Sequence, residues 1–304
     1  MRNSARILVV SLVAGALAGA QPATSGEPPR RIHVRPGPDA IQRAIDRADP
    51  GDIILVHRGR YRERPVVTKP LTIRGVGRRL PVIDGRCAGM TTIDVRANRV
   101  SLRRLKVVGA DEIEGVPFTG FEVDIVLKRN IEVRKLVLKD TCGDADYGIN
   151  VYGTGRVVLT GNRATGFSDA GIYVGSISDG PVIVGNNRTH GNNRGILIEE
   201  SDPGTVVVRG NRSNDNDLAG ESPTTTGIAL ADSDGILLRG NVARRNGDYG
   251  IHLDDHGGSQ SDDNRLFDNV ASDNGFRDFE DEGTDNCGSG NLFEVGDPLP
   301  PCGP

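Results

Sequence analysis

The 304-residue chain carries a net charge of −4, no tryptophan, 4% aromatic residues and 41 glycines. The acidic balance argues against nucleic acid as a partner, and the aromatic poverty rules out a core of aromatic plugs, leaving Val, Ile and Leu to be buried. The charge is uneven: residues 30–79 hold 13 Arg/Lys against 5 Asp/Glu, and residues 251–285 hold 11 Asp/Glu against 2 Arg. Solvated end faces are the plain reading of that asymmetry, and a cation site at the acidic end is the sharper one.

In chain order, residues 1–20 read as a secretory signal peptide. Arg2 and Arg6 form a basic start, Ile7 to Gly19 is apolar, and Ala18-Gly19-Ala20 fits a small-residue cleavage site. No later segment is apolar enough to span a bilayer. The expectation is an exported protein, secreted or periplasmic. Residues 21–30 form a flexible leader, and 31–304 a single domain. Ile32 and Val34 mark a first strand. Asp39 to Ala48 predicts a short helix, with Ile41, Ala44, Ile45 and Ala48 on one face and Asp39 with Gln42 as a capping box. That helix suits the capping of an open solenoid end. Strands follow at Asp52 to Val56, Leu71 to Gly75, Val82 to Asp84, Thr92 to Val95, Val100 to Leu105 and Val123 to Leu127.

From residue 148 the chain repeats itself. Gly-Ile followed two residues later by Val, Ile or Leu begins at Gly148, Gly171, Gly195, Gly227 and Gly250, in steps of 23, 24, 32 and 23. Each step adds a second apolar strand followed by Asn162, Asn187, Asn211, Asn241 or Asn269. A fixed period of this length, with strand-like alternation and no helices between, predicts a parallel β-helix, all-β, built by stacking coils. Ile149, Ile172, Ile196, Ile228 and Ile251 form one interior row. Val151, Val174, Ile198, Leu230 and Leu253 form a second, and Leu159, Val184, Val208, Leu238 and Leu266 a third. The asparagines are expected to form an amide ladder. A second row holds Asn192, Asn216, Asn246 and Asn274, with Phe167 in the first coil. The long step contains an inserted loop, Asp217 to Thr226, of the kind that carries specific contacts. Four cysteines in an exported chain favour disulfides. Cys287 with Cys302 closes a Gly- and Pro-rich tail, which leaves Cys87 with Cys142. Zinc is the alternative, although the spacings match no common ligand pattern.

Several of these segments resemble a known family. Ile41-Gln42-x-Ala44-Ile45, Pro50-Gly51-Asp52-x-Ile54-x-Val56, Gly59-x-Tyr61-x-Glu63 and Leu71-Thr72-Ile73-Arg74-Gly75 are similar to the N-terminal signature of right-handed parallel β-helix proteins. This is the pectate-lyase-like superfamily, which includes periplasmic proteins of the NosD type. The resemblance spans roughly residues 31–295. It implies a right-handed solenoid with a short N-terminal capping helix, and either polysaccharide chemistry or a non-catalytic scaffold.

On such a solenoid, residues around the Gly-Ile strand that point outward line a groove. Tyr152, Tyr173, Glu199, Glu200 and Tyr249 are the expected substrate contacts. Asp232, Asp254, Asp255, His252 and His256 are the expected catalytic acids, bases and proton carriers, since stacked carboxylates lie ~5–10 Å apart. Glu199, Glu200 and Asp254 could hold Ca²⁺. Asp254-Asp255 resembles the Asp pair of polygalacturonase-like hydrolases, whose partner motifs are absent. Tyr249-Gly250-Ile251-His252 resembles the opening of a mannuronan epimerase motif without its Asp-Pro-His. The sequence therefore predicts a monomer binding a polysaccharide in an acidic groove, as lyase, hydrolase or epimerase. The alternative is a binding or structural scaffold of the NosD type.

Overall fold

The computed structural model describes residues 28–113, 116, 119–153, 155–254 and 260–303. The expected signal peptide, most of the leader, Asp255 and His256 lie outside the described residues.

Short β-propensity runs separated by turns cannot bury a face alone, so each coil must be covered by the next. The chain accordingly winds into a parallel β-helix. Sheet A has eleven strands, from Arg31–Val34 to Cys287–Ser289. Sheet B has ten, from Arg60–Tyr61 to Leu292–Phe293. Sheet C has nine, from Val66–Val67 to Arg277–Asp281. The three interior rows stack in register and are wholly buried. Each such side chain contributes roughly 1.5–3 kcal/mol.

The glycine before each interior Ile is required by close approach between coils. A Cβ at Gly148, Gly171, Gly195, Gly227 or Gly250 would meet the carbonyl oxygen of the next coil at 2.9 Å or closer. The same register position holds Glu122 earlier in the chain and Asp278 later.

Both asparagine rows form continuous ladders. In the first, Asn211 Nδ2 donates to Asn241 Oδ1 (3.0 Å) and to Val184 O (2.8 Å), while its Oδ1 accepts from Asn187 N and Nδ2 (2.9 and 3.1 Å). The second runs Asn192–Asn216–Asn246–Asn274 and ends on Asp278, whose Oδ1 accepts from Asn274 Nδ2 at 2.8 Å.

The N-terminal helix α1 (Ala40–Arg47) covers the first coil with Ile41, Ala44 and Ile45 buried. Its cap differs from the expected box. Asp39 adopts a left-handed backbone and makes no side-chain cap bond. The Glu63 carboxylate, reaching from the following coil, accepts from Ile41 N and Gln42 N instead (3.0 and 2.9 Å). Lys69 Nζ closes the other end on Ile45 O, Asp46 O and Ala48 O. At the far end of the solenoid Phe293 stacks on buried Phe279 with centroids 4.7 Å apart. The disulfides are Cys87–Cys142 and Cys287–Cys302. No helix among the described residues is long and apolar enough to cross a membrane.

Candidate functional site

The outer face of sheet C forms one side of a groove of about 740 Å³. Strand alternation explains its lining: Ile251 and Leu253 point inward, so His252 and Asp254 point out. Register then aligns Asn150, Tyr173, Leu197, Ala229 and His252 in one outward row, and Tyr152, Gly175, Glu199, Ala231 and Asp254 in the next. The mid-row residues Leu197, Ala229 and Ala231 are buried and lie beneath the groove rather than along its lining. Phe121, Tyr147 and Tyr173 line the groove, and Leu197, Ala229 and Ala231 pack with them as a hydrophobic cluster separate from the core. Phe121 stacks on Tyr147, and Tyr147 tilts against Tyr173 at 4.8 Å.

The inserted loop forms part of the wall. Asn193 Nδ2 donates to Leu218 O and Ser222 O, and Glu221 N donates to Ser168 O, folding the loop back over earlier coils. Glu221, Ser222, Pro223 and Thr224 thereby reach the groove.

The walls carry six carboxylates: Asp169, Glu199, Glu200, Glu221, Asp254 and Glu282. Arg194 is the sole Lys or Arg among the described lining residues, and it is committed: its guanidinium binds buried Asp169 through Nε (2.9 Å) and a second nitrogen. Tyr147 donates to the same carboxylate at 2.5 Å, and Tyr173 donates to Glu199 Oε2 at 2.7 Å. Burial, and then the adjoining Asp169 and Glu199 charges, push both phenols far above their ordinary range. They are hydrogen-bond donors, not bases. Behind Tyr147, Asp146 is fully buried, and burial pushes its carboxyl up to about 7 against the hydrogen bond from Ser168.

At the acidic end, His252 is 5% exposed and stacks on Tyr249 with ring centroids 4.3 Å apart. Its Nε2 lies 3.5 Å from Glu282 Oε2. One donor atom each from His252, Asp254 and Glu282 lies within 4.8 Å of the others.

The groove brings together Tyr152, Tyr173, Glu199, Glu200, Tyr249, His252 and Asp254 from the sequence-derived set. Asp232 is not among the lining residues; it occupies a left-handed backbone position inside the strand Thr226–Ser233. The carboxylates expected to share Ca²⁺ are spread out. Ala231 separates Glu199 from Asp254, Glu199 is engaged by Tyr173, and Glu200 accepts from Ser176 Oγ. Among the described residues, Asp254 converges with His252 and Glu282 instead. The sequence reading missed Phe121, Tyr147, Asp169, Arg194, Glu221 and Glu282. Extending the register one coil beyond Asp254 finds Glu282, but that coil begins Asp278-Phe279 in place of Gly-Ile and hides the repeat.

A family model described as right handed beta helix region matches residues 130–292. No curated protein matches the chain in sequence. Among solved structures, an alginate lyase from Paenibacillus sp. str. FPU-7 aligns with a TM-score of 0.60 at 18% identity, covering 90% of this chain and 97% of that one. Pectate lyase Pel9A aligns at 0.64 and 13%, covering 90% and 80%. The Azotobacter vinelandii mannuronan C-5 epimerase AlgE4 A-module aligns at 0.51 and 17%, covering 79% and 75%. At these identities the likeness is one of fold.

Proposed function

The chain belongs to the right-handed β-helix family, and from that frame we propose that it is an exported enzyme that hydrolyses a glycan lying along the sheet C groove. The observation that carries this reading is the pairing of an aromatic floor, Phe121, Tyr147 and Tyr173, with walls of carboxylates. Sugar rings pack their C–H faces on such floors, and their hydroxyls bond to such walls. The names of the fold neighbours, two lyases and an epimerase of polysaccharides, agree with a glycan. The charge of the walls favours a neutral chain over a polyuronate, because the groove's arginine is already paired with Asp169.

Two ends of the site have separable roles. Asp254, with His252 and Glu282 beside it, activates a water molecule. Glu199 stands two coils away across Ala231, and in its protonated form it delivers a proton to the departing oxygen. Two coil spacings are ~10 Å of backbone, enough for a sugar and a water between the carboxylates of an inverting pair. The water oxygen bonds to the anomeric carbon, its proton passes to the Asp254 end, and the glycosidic C–O bond breaks as its oxygen takes the proton from the Glu199 end.

The test is a panel of neutral and uronate polysaccharides assayed for new reducing ends, with ultraviolet absorbance read on the same samples. New ends without absorbance on a neutral glycan, reduced about 10²–10⁴-fold by Asp254→Asn and by Glu199→Gln, are the expected result. New ends with absorbance would establish a lyase. Binding without cleavage would leave the scaffold reading in place of an enzyme.

A further inference from the structure

We propose that His252, Asp254 and Glu282 form a binding site for a divalent transition metal of the zinc type. The inference deepens the preceding reading, since a metal at this end would supply the water activation assigned there to Asp254.

The argument begins with His252. Its side chain is almost wholly buried, yet Nε2 has no hydrogen-bond partner. A buried imidazole nitrogen left without one costs about 1–3 kcal/mol. Its nearest acidic neighbour, Glu282 Oε2, stands at 3.5 Å, beyond the 2.7–3.2 Å of an N–H···O bond. That gap has another meaning in metal chemistry. Ligand bonds of about 2.0–2.1 Å in tetrahedral array set two donor atoms roughly 3.4 Å apart. Nε2 and Oε2 already stand at that separation, and one donor atom each of His252, Asp254 and Glu282 lies within 4.8 Å of the others. Stacking of the ring on Tyr249 holds its plane, which limits the rotation lost on binding.

The donor set selects the metal. One imidazole nitrogen and two carboxylates make a three-ligand set that leaves a position open for water, as catalytic zinc requires. Calcium asks for six to eight oxygens, and this cluster offers a nitrogen in a buried position. The stacked carboxylates Glu199 and Glu200, better suited to calcium by chemistry, are held apart from the cluster by Ala231 and by their own hydrogen bonds. A pair of imidazoles outside the site, His33 Nδ1 and His57 Nε2, lies 2.8 Å apart at the other end of the solenoid. It is exposed and serves as an internal control.

Chelator-stripped protein titrated with Zn²⁺, Mn²⁺ and Ca²⁺ by calorimetry, without any glycan, is the test. One Zn²⁺ per chain is expected, with affinity lowered about 10–100-fold or more in both His252→Ala and Glu282→Gln and unchanged in His57→Ala. Cobalt substitution should give visible absorption of a four- or five-coordinate ion. Absence of stoichiometric zinc, wild-type affinity in both cluster variants, or displacement by an equal concentration of Ca²⁺ would overturn the site. If His252→Ala does not fold, the better exposed Glu282 decides. Because no glycan is present, failure here leaves the hydrolase reading standing, and zinc binding by a protein inert to every glycan would sink only that reading.

Discussion

The asparagine corners and the sheet C face are built from the same repeat, yet they treat polar groups in opposite ways. In the first ladder each central amide is fully engaged, giving two hydrogen bonds and accepting two, coil after coil. The groups without hydrogen bonds lie elsewhere. Among the described residues, the six buried side-chain atoms lacking a partner belong to Glu122, Asp146, Asn193, Thr226, His252 and Glu280. All six residues stand on sheet C strands or in the turns leading into them. Two of these atoms keep ion-pair contacts, His252 with Glu282 and Glu280 with Arg277. The corners therefore hold the solenoid together, and sheet C carries the buried polar groups that the fold leaves without a hydrogen bond.

The sharpest way to break this comparison is at a rung. Asn211→Ala would strand Val184 O, Asn187 N and one hydrogen of Asn187 Nδ2 in a buried corner, while Asn241 Oδ1 keeps the bond from the backbone N–H of residue 211. A loss on the order of 3–5 kcal/mol is expected, since each orphaned group costs about 1–3 kcal/mol and some will find water. Denaturant unfolding followed by circular dichroism measures it. A loss below about 1 kcal/mol would show that the ladder is ornament and the interior rows do the work.

The next effect tests sheet C through pH. Glu122 occupies the repeat's glycine position, is fully buried, and burial raises its carboxyl to about 8 against bonds from Thr92 and Ala110. The folded state thus holds this proton more tightly than the unfolded chain. Stability from this group is fully present below about 4.5 and is lost as pH rises through about 8. Burial also raises Asp146, to about 7, adding a fall of the same sign. Glu122→Gln should remove a decline of roughly 2–4 kcal/mol between pH 5 and 9, flattening the profile without harming the fold at pH 5. A wild-type curve already flat over that range would mean that water reaches the carboxylate.

The same contrast explains what the sequence revealed. The interior rows and ladders were legible because they repeat identical residues at a period, and stacking needs no other information. Elements that depend on one coil reaching another were not. The cap of α1 comes from Glu63, twenty-two residues beyond Ile41, so a local pattern pointed to Asp39 instead. Tyr147, Asp169 and Arg194 come from three successive coils ahead of their Gly-Ile motifs, and only their hydrogen bonds unite them. Asp232 falls outside the groove lining because its left-handed backbone inside the strand Thr226–Ser233 breaks the simple inward–outward count. Function in a solenoid is written where the repeat is interrupted, which is where periodicity offers least help.

The smallest expected effect separates the two regions most cleanly. Glu282 lies in the His252 cluster, but its side chain is 43% exposed and its imidazole contact is 3.5 Å. Ion pairs that open to water contribute about 0–1 kcal/mol, and glutamine keeps the shape of the side chain. Glu282→Gln should therefore leave the unfolding midpoint within about 2 °C of wild type, in a chain where a change of 1 kcal/mol moves it by roughly 2–4 °C. Set beside Asn211→Ala, this tests whether acidic density at the end of sheet C serves stability at all. A drop comparable to that of a ladder rung would make the cluster a structural clasp closing the last coils. An unchanged midpoint, with metal affinity reduced in the same sample, would assign these carboxylates to binding and leave the corners to carry the fold.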